Sequence, residues 1–269
     1  MRTLADLRAL IIDMDGVLWR GDTPLPGLIE FFALLRERGL KYVLATNNAS
    51  KTPEQYVGKL AGMGVAVGRD QILTSSVATA LYLKEIAPSG ARIYAIGEDG
   101  VREALKEAGF RLSTDGSEYV VVGMDRGLTW DKLAQATLNI RAGAQFIGTN
   151  PDLTLPTERG ITHGNGAILA ALQAATGITP AIIGKPEPII YRQAMALLGA
   201  GPDQTAAVGD RLETDILGAI HAGISSILVL SGVTSRKELE GSPYQPDWVF
   251  DSILELTQEL RINSRSRKP

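Results

Sequence analysis

The chain has no cysteine and only two histidines, His163 and His221. Without cysteine there is no disulfide framework, no thiol nucleophile, no thiolate zinc site and no iron–sulfur cluster. Two imidazoles are too few for a histidine-rich zinc centre, so any metal here is expected to be a hard, oxygen-liganded ion. Charge of one sign is lacking too. The 27 Lys and Arg stand against 30 Asp and Glu, a net charge of −3. That balance argues against a nucleic-acid partner. Long hydrophobic runs are missing as well: residues 119–124 form one of the longest, against the roughly 18 residues a membrane span needs. Asp6 and Arg8 interrupt the N-terminal region before a signal-like stretch develops. The expectation is a cytoplasmic protein with no membrane partner. The basic C-terminal run from Arg261 to Pro269 reads as a solvated end rather than an anion-binding arm.

What is present is an alternation of short apolar runs with amphipathic segments. Residues 9–13, 41–46, 181–184, 205–208 and 226–230 read as strands, with helices over 26–38, 53–63, 187–198 and 214–222. A middle set adds strands near 93–96, 119–122 and 145–147 and helices over 101–108, 130–142 and 167–175. Strands buried on both faces and separated by helices imply a parallel sheet in an α/β fold.

Four motifs stand where apolar strands are expected to end, the edge at which open α/β sheets bind ligands. Asp13-Met14-Asp15-Gly16 sets two acids two residues apart, able to converge if the chain bends at the glycine. Two carboxylates that close repel unless a cation or a shared proton compensates. Thr46-Asn47-Asn48 offers a hydroxyl, amides and turn N–H groups to phosphate oxygens; alone it reads more readily as a self-bonded Asn-rich turn. Gly184-Lys185-Pro186 aims a compact cation, although a solvated surface lysine is an equal reading. Gly209-Asp210 follows another strand, with Asp215 on the opening turn of the next helix, where an acid also suits the helix terminus. Acid, hydroxyl–amide, cation and acid are thus expected at four successive strand ends of one sheet.

In this order the motifs resemble those of the haloacid dehalogenase superfamily of phosphatases. The run Gly148-Thr149-Asn150-Pro151-Asp152 and the Val121-Val122-Gly123 token resemble its NagD-like branch. The resemblance implies a Rossmann-like, doubly wound parallel-sheet core with an inserted α/β cap domain. The expected division is core 1–79, cap 80–182 and core 183–269, from a pattern break near 78–83 and a strand restart at Ala181. It implies a Mg²⁺-dependent phosphatase acting on a small phosphorylated metabolite through an aspartyl-phosphate. Asp13 is then the nucleophile and Asp15 the general acid and base. Mg²⁺ is held by Asp13, Asp210 and the backbone carbonyl of Asp15. Thr46, Asn47 and Asn48 bind the phosphoryl group, Lys185 neutralises it and Asp215 supports Lys185 or metal-bound water. Asp125, Asn150, Asp152 and His163 are the candidates contributed by the cap, with turn capping an equal reading for the first three. His221, in a helix's last turn, reads as structural. A cap-mediated homodimer is an expectation of the resemblance alone. A phosphotransferase or mutase on sugar phosphates would use the same core. A non-catalytic phospho-accepting domain would not need Asp15 or the long interval between Thr46 and Lys185.

Overall fold

The computed structural model describes residues 3–157 and 159–265; the last four residues of the basic run lie outside them. In chain order the strands are β1 (Ala9–Ile12), β2 (Trp19–Arg20), β3 (Thr23–Pro24), β4 (Lys41–Thr46), β5 (Ile72–Thr74), β6 (Arg92–Ile96), β7 (Arg111–Leu112), β8 (Tyr119–Val122), β9 (Gln145–Gly148), β10 (Thr154–Thr157), β11 (Gly160–His163), β12 (Ala181–Ile182), β13 (Thr205–Gly209), β14 (Ser225–Val229) and β15 (Trp248–Phe250). The helices are α1 (Leu28–Glu37), α2 (Pro53–Gly62), α3 (Ser75–Ile86), α4 (Asp99–Glu107), α5 (Trp130–Arg141), α6 (Asn165–Thr176), α7 (Pro188–Leu198), α8 (Leu217–Ala222), α9 (Arg236–Glu240) and α10 (Ile253–Arg265). The fold is α/β, as the alternation implied. No described helix is long and apolar enough to cross a membrane.

The chain forms two compact units, one of residues 1–45, 57–72 and 186–269, the other of 46–56 and 73–185. The first is built on a six-stranded sheet of order β15-β14-β13-β1-β4-β5. β1 lies parallel to both β4 and β13, with Ile12 opposite Leu44 on one side and Val208 on the other. The chain winds outward from β1 through β4 and β5, then returns to β13 and winds the other way. The reversal puts a topological switch point between β1 and β13, where side chains just past the strand ends face an open crevice. All four residues of β1 and all five of β13 are buried, which is why their sequences are continuously apolar or small. Leu28, Phe31, Phe32, Leu34 and Leu35 are the buried residues of α1. Phe32 meets Tyr42 edge-on, with ring centroids 5.3 Å apart. Burying each such side chain contributes roughly 1.5–3 kcal/mol.

The second unit has its own five-stranded parallel sheet, order β12-β9-β8-β6-β7, and the antiparallel hairpin β10–β11. Val120, Val122, Ile140, Phe146, Ile168 and Leu172 form its core. Thr74 and Thr129 start α3 and α5 by accepting the N–H groups of Val77 and Lys132. Each satisfies a donor the helix itself cannot use.

Two expectations need correction. The segment 78–83, read as a break, lies inside α3. The strand before Lys185 does not belong to the six-stranded sheet: β12 pairs with β9, Ala181 opposite Ile147, and closes the other sheet. Three of the four motifs therefore follow strands of one sheet, and the fourth follows a strand of the second. Two paired residues suffice to anchor β12, and an apolar run that short does not reveal its partner.

Candidate active site

In the first unit the acids gather at the switch point. Asp13 directly follows β1, and its N–H still bonds to the Val208 carbonyl at 2.8 Å. Asp210 directly follows β13. A single π-helical turn, Leu212–Ile216, then brings Asp215 back toward it. One carboxylate oxygen from each of Asp13, Asp210 and Asp215 lies within 4.8 Å of the other two. Asp210 and Asp215 are almost completely buried, at 1% and 2% exposure. Asp215 accepts the backbone N–H groups of Asp210 and Arg211, at 3.3 and 3.1 Å. Asp210 accepts that of Val233 at 2.7 Å.

Glycines surround these acids. A Cβ on Gly16 or Gly232 would overlap the Asp210 carboxyl, and one on Gly209 would overlap Asp215. Gly16 also has φ +86°, the left-handed turn that sends the chain away after Asp15. Three converging carboxylates repel one another in a buried setting unless a cation is shared between them. Hard oxygen donors of this kind fit a divalent ion such as Mg²⁺. The sequence reading placed Asp13 and Asp210 together, and the structure does the same. It adds the carboxylate of Asp215 as a third member, where a supporting role was expected.

Asp15 is placed differently. Its carboxylate is exposed and takes the indole N–H of Trp19 at 2.7 Å. Trp19 is fully buried, and the Lys59 ammonium sits 4.6 Å from its ring centroid. Lys59 is itself held by the Gly21 carbonyl at 2.6 Å and by Asp22 at 3.4 Å. Within this turn the Gly16 N–H bonds to the Trp19 carbonyl at 2.7 Å. Trp19 was missed in the sequence, where it reads only as the apolar end of the run after Asp15.

The second unit holds the remaining motif residues. Thr46 ends β4, and its hydroxyl oxygen accepts the Asn48 N–H at 3.1 Å. Asn48 in turn accepts the N–H and hydroxyl of Ser50 at 2.9 and 2.7 Å, the self-bonded turn that its sequence allowed. Asn47 is committed to Lys185: its amide donates to the Lys185 carbonyl at 2.8 Å and accepts the Lys185 N–H at 2.7 Å. Its other amide hydrogen goes to Asp152 at 3.1 Å. Asn150 donates to the Asn47 carbonyl at 2.8 Å and accepts the Asp152 N–H at 3.2 Å. Asn47, Asn150, Asp152 and the main chain of Lys185 thus form one polar knot, and Lys185 is 4% exposed.

Gly184 has no room for a side chain, because a Cβ would press on the Asn47 amide and the Thr149 carbonyl. The other two candidates stand outside this knot. Asp125 is buried, paired with Lys132 at 2.7 Å and capping its own turn through Gly127 N–H. His163 ends β11, exposed, opposite Thr154. His221 lies in the last turn of α8 with Nδ1 3.3 Å from the Pro186 carbonyl.

Comparison with known proteins gives a consistent picture. Residues 10–111 match the family model described as haloacid dehalogenase-like hydrolase, and residues 182–256 match a second described as HAD-hydrolase-like. The 5'-nucleotidase YutF of Bacillus subtilis (strain 168) is 40% identical over 248 residues, covering 92% of this chain and 96% of that protein. The crystal structure of 4-nitrophenylphosphatase from Thermotoga maritima superposes with a TM-score of 0.91 at 36% identity, covering 95% and 98% of the two chains. NagD from Escherichia coli K-12 superposes with a TM-score of 0.86 at 36% identity, covering 93% and 98%.

Proposed function

The chain belongs to the haloacid dehalogenase-like hydrolases, in their NagD-like branch, and on that premise we propose that it is a Mg²⁺-dependent phosphatase of small-molecule phosphomonoesters working through an aspartyl-phosphate. The observation that supports this reading most is the convergence of Asp13, Asp210 and Asp215 at the switch point of the six-stranded sheet. The names of the relatives agree with it, since both a 5'-nucleotidase and a 4-nitrophenylphosphatase cleave phosphomonoesters.

In this reading Asp13, the least buried of the three acids, takes the nucleophile's role that the family resemblance implies and attacks phosphorus. The alcohol leaves with a proton from Asp15, which later takes one from the hydrolytic water. Trp19 donates to one Asp15 oxygen, which leaves the other oxygen to carry that proton. Asp13, Asp210 and Asp215 would hold Mg²⁺, with the Asp15 carbonyl as a further donor; the bound ion supplies charge neutralisation of the transferring phosphoryl group. The Thr46 hydroxyl accepts the Asn48 N–H and so keeps its own proton for a phosphate oxygen. Lys185 contributes positive charge. The Asn47 side chain is spent on Lys185, so its part is to position that lysine while its main chain serves the phosphate. The cap of this reading is the inserted segment 80–182, and the substrate is a small phosphorylated metabolite in the cytoplasm.

The test is Asp13→Asn. Phosphate release from para-nitrophenyl phosphate with Mg²⁺ should fall at least a thousandfold, while far-UV circular dichroism and the unfolding midpoint stay close to wild type. Retained turnover in a correctly folded variant would remove the reading.

A further inference from the structure

The second unit has a cavity of about 650 Å³ whose lining includes Asn48, Lys51, Glu98, Arg102, Asp125 and Arg126. Its location follows from topology. In the five-stranded sheet the chain starts at β6, goes to β7 on one side and then to β8, β9 and β12 on the other. The winding reverses between β6 and β8. The segments after those two strands contribute walls of the cavity, Gly97, Glu98 and Asp99 from one and Asp125 and Arg126 from the other. This sheet therefore has its own switch-point crevice, of a volume suited to a small metabolite. The walls are fixed to each other: the Gly100 N–H bonds to the Ser50 carbonyl at 3.1 Å. Gly100 also packs so closely on the Ala49 and Lys51 carbonyls that no side chain fits there.

The charges within it are unevenly used. Glu98 is neutralised by Arg126, at 2.8 and 2.9 Å to its two oxygens. Asp125 is neutralised by Lys132 at 2.7 Å. Arg102 spends only its Nε, on the Gly97 carbonyl at 3.1 Å. The Lys51 ammonium lies 6.0 Å from the centroid of the Tyr56 ring. Among the described residues neither cation is in an ion pair, and Asp99 on the first turn of α4 is the one acid of the lining left against them. The balance favours a negative ligand group, while the Asn48 and Gln55 amides in the lining suit hydroxyls.

We propose that this cavity binds the anionic end of a small polyhydroxylated metabolite, its carboxylate or phosphate held by Lys51 and Arg102. That group has two sources: a second anionic group on a phosphorylated substrate, which rests on the phosphatase reading, or a free acid acting as an effector, which does not.

The first measurement needs no turnover. Isothermal titration of the full chain with gluconate and with sorbitol, which differ at one end as carboxylate against alcohol, should show gluconate binding at least tenfold tighter. Lys51→Gln and Arg102→Gln should each weaken gluconate fivefold or more and leave sorbitol within twofold; both positions are exposed, so the variants should fold as wild type by circular dichroism. Equal binding of the two ligands, or discrimination that survives both substitutions, overturns the proposal. Kinetics then separates the sources. If the anion belongs to the substrate, the variants raise KM for 6-phosphogluconate fivefold or more and not for sorbitol 6-phosphate. If it is an effector, gluconate shifts turnover of para-nitrophenyl phosphate in the wild type and not in the variants. Hydrolysis of no phosphoester at all would count against the phosphatase reading alone, because the titration still decides the cavity.

Discussion

The indole N–H of Trp19 points at the carboxylate of Asp15 across 2.7 Å. An indole nitrogen only donates, so it fixes which carboxyl oxygen is free to hold a proton. Trp19→Phe keeps an aromatic ring in the site and removes that donor. A hydrogen bond to a charged group contributes about 1.5–3 kcal/mol, so kcat for para-nitrophenyl phosphate should fall roughly tenfold or more. KM should move less than threefold, since the donor is spent on the Asp15 carboxylate. Steady-state kinetics with aryl phosphates of differing leaving-group pKa checks it: the loss should be largest for the poorest leaving groups. A uniform loss across the series would place Trp19 outside proton transfer.

Gly232 and Gly223 provide a matched pair. A side chain at Gly232 runs into the Asp210 carboxyl, whereas Gly223, at φ +69°, has nothing within 4 Å of an added Cβ. Gly223→Ala should cost only the left-handed backbone penalty, about 1–2 kcal/mol of stability, and keep its activity. Gly232→Ala should displace Asp210 and lose activity by a hundredfold or more. Unfolding midpoints and kcat/KM measured on both variants decide the matter. If Gly232→Ala turns over normally, Asp210 is not where the reaction needs it.

The acid cluster gives a prediction for metal removal. Asp13, Asp210 and Asp215 repel one another when no cation is shared between them. Ligand binding to the folded state alone stabilises it by about 2.7 kcal/mol at a hundred times Kd. Mg²⁺ at that level should therefore raise the unfolding midpoint of EDTA-treated protein, and Asp210→Asn should abolish the rise. Calcium and sodium controls at equal ionic strength separate site binding from screening. An unfolding midpoint indifferent to Mg²⁺ would argue against a shared cation.

Much of this site could be read from the sequence because its acids sit at the ends of strands whose burial is written in unbroken apolar runs. Ala9-Leu10-Ile11-Ile12 and Thr205-Ala206-Ala207-Val208 announce both the strands and the positions of Asp13 and Asp210. What stayed hidden depends on partners distant in sequence or on irregular backbone. A two-residue β12 says nothing about which sheet it joins. The π-helical turn that returns Asp215 to Asp210 has no periodicity of its own. The β10–β11 hairpin exposes Leu153 beside it and Ile161 within it, so no alternation of burial marks its strands. Asn47 looked like a phosphate donor because its type suits that role; only the fold shows its amide closed on the main chain of Lys185.

That closure can be tested at Asn47. Replacing it with Ala removes three hydrogen bonds and leaves the buried N–H and carbonyl of Lys185 without them. Each unsatisfied buried group costs about 1–3 kcal/mol. Asn47→Ala should lower the unfolding midpoint clearly and reduce kcat/KM at least a hundredfold. Asn47→Asp keeps an acceptor for the Lys185 N–H but loses both donors, so it should rescue little. Hydrogen exchange at the Lys185 amide gives a readout independent of turnover, and unchanged protection there would count against the positioning role.

Burial raises Tyr42, Tyr94 and Tyr119 above the ordinary value of 10.0, each chiefly through desolvation of the phenolate. For Tyr42 a hydrogen bond to Gln71 and the charge of Arg36 oppose the shift, and for Tyr94 the charge of Arg102 does. The sign of the linkage follows. A phenol whose folded pKa exceeds its unfolded one binds its proton more tightly when folded. Its stabilising contribution is fully present below pH 10 and is lost as pH rises through the folded value. Stability should therefore decline on the alkaline side from about pH 10 upward. Ultraviolet difference titration should show a late phenolate component, above pH 10, from these three side chains. In Tyr94→Phe, which removes one late phenol and its 3.3 Å bond to the Lys132 carbonyl, the late amplitude should shrink by about one tyrosine. Titration of all seven tyrosines in one step near pH 10, with the protein still folded, would show that these phenols are not desolvated.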